Sequence, residues 1–142
     1  MKKTISFLIL IFIINLIGLY NQWYLIYPWF DQVLHFSGGF LMAILLSIYL
    51  KNHLLENAKL KNILIVLGAV SFIGITWEFA EYLASQILVE SIYRNFGIRT
   101  YFIGDLNDTI NDLLMDILGA GLFLFVLHFF RNRKTHKIQT NP

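Results

Sequence analysis

Residues 104–120 read Gly-Asp-Leu-Asn-Asp-Thr-Ile-Asn-Asp-Leu-Leu-Met-Asp-Ile-Leu-Gly-Ala. Asp105, Asp108, Asp112 and Asp116 follow one another at steps of three, four and four. On a helix that spacing sets them along one side, a stripe about 16 Å long at ~1.5 Å per residue. The segment turns apolar near residue 109 and stays so to residue 130, long enough to cross a bilayer. One stretch therefore predicts a transmembrane helix and a row of acids carried into it. Like charges at this spacing repel, and an ionised carboxylate inside a span costs at least about 2.5 kcal/mol. Something cationic or hydrogen-bonding is expected to meet the stripe.

Composition agrees with a membrane setting. The chain has 142 residues, 57% hydrophobic and 14% charged, with a mean hydropathy of +0.63, too apolar for a soluble domain of this size. The fold class expected is all-α: a polytopic four-transmembrane-helix bundle over residues 1–130, followed by a basic tail at 131–142 without regular structure. There are no cysteines, which excludes disulfides, thiolate catalysis and cysteine-based zinc sites. No basic patch interleaved with aromatics is present, so nucleic acid is not an expected partner.

Spans are expected at about 4–20, 31–50, 63–89 and 109–130. Met1-Lys2-Lys3 and the apolar run after it resemble a signal peptide, but the small-x-small cleavage pattern is missing, so an uncleaved first span is expected. Trp23, Tyr24, Tyr27 and Trp29 read as an aromatic belt at headgroup level, with Pro28 setting the start of the next helix. Residues 90–104 read as a mixed loop. Gly38, Gly39 and Gly119 are expected to let the second and fourth spans approach closely.

Nine of the eleven Lys and Arg residues fall on one side of this topology, with only Arg94 and Arg99 opposite. By the positive-inside rule both termini are cytoplasmic, in a multi-pass protein of the cell (plasma) membrane. Asp31 and His35 then stand at the outer end of the second span. Glu78 lies sixteen residues past Asn62, about 24 Å into a core about 30 Å thick, with Glu81 one turn further out. Seven of the nine acidic residues, with His35, converge on one level of the bundle.

Asp105 and Asp108 also suit helix capping, because free amides and the dipole favour Asp at a helix start. Capping does not account for Glu78, Glu81, Asp112 and Asp116, each at least a turn within an apolar span. Arg94 and Arg99 are too few to neutralise seven acids. The expected metal ligands are Asp31, His35, Glu78, Glu81, Asp108, Asp112 and Asp116. Carboxylates with one imidazole suit a divalent Mg, Mn or Ca ion, with Zn next. The same stretch imitates a calcium-binding EF-hand loop, but Ile110 stands at the position that needs Gly.

Asp31-Gln-Val-Leu-His35-Phe, Trp77-Glu78-Phe-Ala-Glu81 and Gly104-Asp-x-x-Asp108-x-x-x-Asp112-x-x-x-Asp116-x-x-Gly119-Ala120 together resemble the YjdF-like family of small bacterial membrane proteins. More distantly they resemble the VanZ-like family, named for a protein of teicoplanin resistance. The resemblance covers residues 31–121. Gln32, Glu81 and Asp116 stand where VanZ-like proteins tend to show Lys, Gln and Asn, which favours the YjdF-like branch. What the resemblance implies is architecture and site, not a reaction.

Three functional classes fit these residues. The first is an enzyme or modifier of lipid-linked, cell-envelope material, with a metal bridging to phosphate and Glu78 or Glu81 as general base. The second is an ion- or proton-coupled transporter, which with four helices would have to dimerise. The third is a non-catalytic binding protein of the VanZ type for a cationic ligand. Expected partners are the lipid bilayer, a lipid-linked phosphate substrate and a second copy in a homo-oligomer.

Overall fold

A computed structural model describes residues 1–54, 58–102 and 104–139, with side chains described as far as Phe130. Residues 55–57, 103 and 140–142 lie outside the described residues. Six helices occur among the described residues: α1 (Lys2–Tyr20), α2 (Trp23–Ile26), α3 (Phe30–Tyr49), α4 (Lys59–Ile87), α5 (Val89–Phe96) and α6 (Leu106–Gln139). α1, α3, α4 and residues Leu106–Phe130 of α6 are long and apolar enough to cross a membrane. Phe7, Phe72, Phe79 and Phe125 are each more than half exposed. Such large apolar side chains, exposed on α1, α4 and α6, are the surface of a protein solvated by lipid. The molecule is a four-span membrane bundle.

Local chemistry sets the helix ends. Asn21 donates its side-chain amide to the Ile17 carbonyl at 2.8 Å, closing α1, and Gln22 turns the chain with φ 60°. Pro28 precedes α3 as expected. Residues 89–96 form α5 instead of a loop. Glu90 and Arg94 pair across one turn at 2.7 Å, Val89, Ile92, Tyr93 and Phe96 share a face, and Gly97 at φ 67° ends the helix. The backbone stays helical past Phe130 to Gln139, where an irregular tail was expected. Residues 131–139 contain no Gly or Pro to stop it.

α3 and α6 form the closest pair, and glycine makes it so. A Cβ on Gly39 would run into the Asp116 main-chain carbonyl, and one on Gly119 into the Phe36 carbonyl. Gly38 differs from expectation, because a Cβ there would meet nothing within 4 Å. Toward the Tyr49 end, Ala43, Val66, Val70 and Ala120 make a small apolar core with Met42, Leu46 and Phe123 packed on it. α4 packs on α6 and α3, whereas the α1 backbone approaches those of α3 and α2. Phe30 anchors that contact: its ring lies against Gly18 and is met edge-on by Trp23 at 5.4 Å and Tyr24 at 5.1 Å. Trp23 and Tyr24 thus cover the end of the bundle. Tyr27 and Trp29 are exposed, as an aromatic belt requires.

Candidate functional site

The end of the bundle opposite the apolar core is built from the start of α3, the last turns of α4 and the start of α6. His35 stands at its centre, 6% exposed. Its Nε2 lies 3.6 Å from Asp31 Oδ1 on its own helix and 3.8 Å from Glu78 Oε1 on α4. On the other side of the ring, Nδ1 lies 3.4 Å from Asp116 Oδ2 on α6. The imidazole is therefore held between Asp31 and Glu78 on one side and Asp116 on the other. A proton on Nδ1 donated to Asp116 leaves the Nε2 lone pair facing Asp31 and Glu78.

Two triads around this ring bring ligating atoms within 4.8 Å of one another: Asp31, His35 and Asp112, and His35, Glu78 and Glu81. Oxygens about 2.0–2.6 Å from a Mg or Ca ion lie up to about 5 Å apart, so both triads have the dimensions of a coordination shell. The donor set also fits, being hard carboxylate oxygens with one imidazole.

Glu78 is 7% exposed and Asp112 2%. Glu78 Oε1 and Asp112 Oδ1 are nevertheless buried without a hydrogen-bond partner. Thr109 serves as a side-chain hydrogen-bond partner of the Glu78 carboxyl, which leaves Oε1 turned toward His35. Among the described residues no Lys or Arg forms an ion pair with any acid of this cluster; Arg94 pairs with exposed Glu90 instead. A buried acceptor left unpaired costs about 1–3 kcal/mol, more when charged.

Glu81 is fixed from outside the cluster. Trp77, one turn earlier on α4, donates its indole N–H to Glu81 Oε1 at 2.8 Å. Asp105 is the helix cap of α6, accepting from the amides of Asn107 at 2.9 Å and Asp108 at 3.1 Å through Oδ1. Asp108 is half-buried and lines an open recess with Tyr101, Asp105, Asn107 and Asn111.

Of the seven expected ligands, Asp31, His35, Glu78, Glu81 and Asp112 come together. Asp116 stands behind His35 on the opposite ring nitrogen, and Asp108 stands at the mouth. Tyr24 was not legible as part of the site. Burial pushes its hydroxyl well above the ordinary tyrosine range, and the nearby Asp31, Glu81 and Asp112 carboxylates push it further. Burial, with Asp108 and Asp105 nearby, likewise raises Tyr101 at the mouth. Trp77 did leave a signal, since its four-residue spacing from Glu81 puts both on one face.

No curated protein and no solved structure matches this chain. A family profile described as "Predicted membrane protein (DUF2238)" matches residues 1–133, consistent with the YjdF-like resemblance. A match over nearly the whole chain, containing all four spans and every acid of the cluster, means that the protein belongs to this family of predicted membrane proteins.

Proposed function

We propose that this is a divalent-cation-dependent protein of the plasma membrane acting on lipid-linked phosphate at the extracytoplasmic surface. The observation that carries the reading is the pair of buried oxygens without a hydrogen-bond partner, Glu78 Oε1, 3.8 Å from His35 Nε2, and Asp112 Oδ1, with no Lys or Arg among the described residues paired to either carboxyl. A cation removes that cost and the mutual repulsion of the acids together. In this reading His35 Nε2, Asp31, Glu78 and Asp112 hold one ion, Mg, Mn or Ca before Zn. Asp116 orients the imidazole from behind, as carboxylates commonly do for metal-bound histidine.

An ion held by these residues would polarise a phosphate oxygen that ligates it. Glu81, held by Trp77 and not needed as a ligand, is the general base for an attacking water or hydroxyl. The excess of Lys and Arg at the other end of the spans supports an extracytoplasmic position for this end of the bundle.

The test is elemental analysis of protein purified without chelator, with calorimetric titration of Mg, Mn, Ca and Zn into the chelated form. About one ion per chain is expected, lost in Glu78→Gln and Asp112→Asn. Hydrolysis or transfer from a panel of lipid phosphates is then followed with and without that ion. Absence of any bound divalent ion across the four metals overturns the reading.

A further inference from the structure

Between α1, α3 and α4, directly beside the acids, lies a cavity of about 180 Å³. Asp31, His35 and Asp116 line its polar end, and Leu8, Phe12, Met42, Val70 and Ile73 are among its apolar walls. From Asp31 to Met42 it follows three turns of α3, about 16 Å along the helix. An engineered cavity of about 150 Å³ holds a benzene molecule, so this one admits a segment of a hydrocarbon chain. Gly38 faces it, which is why a side chain there would meet nothing.

The cavity has an opening of its own. Among the described residues the α1 backbone stays more than 8 Å from those of α4 and α6, which leaves a gap between α1 and α4. What spans that gap is a ring contact, Phe12 edge-on to Trp77 with centroids 6.3 Å apart and planes at 86°. Trp77 is also the donor that fixes Glu81. The wall of the apolar cavity and the positioning of a buried carboxyl thus share one side chain.

We propose that the α1–α4 gap is a lateral entrance through which a phosphate-bearing membrane lipid seats one hydrocarbon chain in this cavity, with its head group at the acidic end. This rests on the cation reading above for the head group and on the cavity for the chain. The chemistry is that of an amphiphile: apolar walls opening onto lipid at one end, and at the other acids that take an anionic head only through a bound cation. A water-soluble phosphate would gain nothing from the apolar walls, whereas a chain entering from the bilayer leaves no hydrocarbon exposed to water. Displacement of Phe12 and Trp77 by the chain moves the Glu81 donor, so chain occupancy and the carboxyl's position are linked.

The test uses the full chain in phosphatidylcholine nanodiscs carrying a trace of phosphatidic acid with a diazirine on one acyl chain. Cross-links are mapped by mass spectrometry, with and without Mg. Label is expected on Phe12, Met42 and Ile73 in excess of lipid-facing Phe72 and Phe125, competed by unlabelled phosphatidic acid and not by more phosphatidylcholine. Met42→Trp, and Ile73→Phe if the first variant folds poorly, should lower cavity labelling about tenfold by excluding roughly two methylenes of chain. Bound metal should not change in either variant. Labelling spread evenly over cavity and lipid-facing residues, unchanged by either filling variant, overturns the proposal. Cavity labelling that ignores chelator and is competed equally by phosphatidylcholine, in a protein without bound metal, leaves a chain site but overturns the phosphate head group and the cation reading with it.

Discussion

His35 Nδ1 and Asp116 Oδ2 meet at 3.4 Å across the α3–α6 interface, one turn from where Gly39 admits the Asp116 main-chain carbonyl. The same residue therefore sets both the approach of the two helices and the direction in which the imidazole faces. With Nδ1 occupied by Asp116, Nε2 is left to Asp31 and Glu78.

Asp116→Asn should accordingly weaken cation binding without abolishing it. Loss of a carboxylate behind a metal-bound histidine typically costs about 10–100-fold in affinity. Asp112→Asn, which removes a ligand, should abolish binding in the same titration. The reverse ranking would place Asp116 in the coordination shell and Asp112 outside it.

Glu78→Gln and Asp112→Asn should raise the melting temperature of the chelated protein, because each removes repulsion among buried acids. Both should lose the stabilisation that saturating cation gives the native chain, about 2.7 kcal/mol at a hundredfold excess over Kd. Asp105→Asn should be mild in both assays, since Asn caps a helix start about as well as Asp. Essential Asp105 with dispensable Asp112 would return the stripe to helix capping.

Trp77→Phe keeps an aromatic ring against Phe12 and removes the donor to Glu81. Hydrogen bonds to charged groups contribute about 1.5–3 kcal/mol, so lipid-phosphate turnover should fall about ten- to a hundredfold while bound metal is unchanged. Equal turnover in the variant would show that Glu81 needs no positioning from α4.

At the α3–α6 contact, Gly39→Leu and Gly119→Ala should each lower thermal stability and yield, at a cost of about 1–3 kcal/mol typical of overpacking. Gly38→Ala is the control and should be neutral, because its Cβ enters open space. Thermal shift in detergent separates the three. Equal tolerance at all three positions would mean that the two helices are not in this register.

The chain has no cysteine, so single-cysteine variants report topology directly. Asn95→Cys should react with an impermeant maleimide from outside intact cells, and Lys59→Cys only after lysis. The opposite pattern would put the acidic end in the cytoplasm and remove the extracytoplasmic assignment.

Much of this protein follows from the order of its residues. Four apolar runs of bilayer length require four spans, because backbone polar groups in lipid must be satisfied within a helix. Counting along those spans puts Asp31, His35, Glu78 and Asp112 at one depth, since helical rise is constant. The rotation of each helix about its neighbour is a different matter. Periodicity defines a face but not what that face meets, and lipid is as apolar as the side chains, so hydropathy does not orient one span toward another. That choice lies with close contacts: Gly39 and Gly119 seat α3 on α6, Gly38 is left over the cavity, and α1 stands apart from α4. Only then is it settled that Asp116 takes Nδ1 of His35, that Trp77 holds Glu81, and that Glu78 and Asp112 are buried with an oxygen each unpaired.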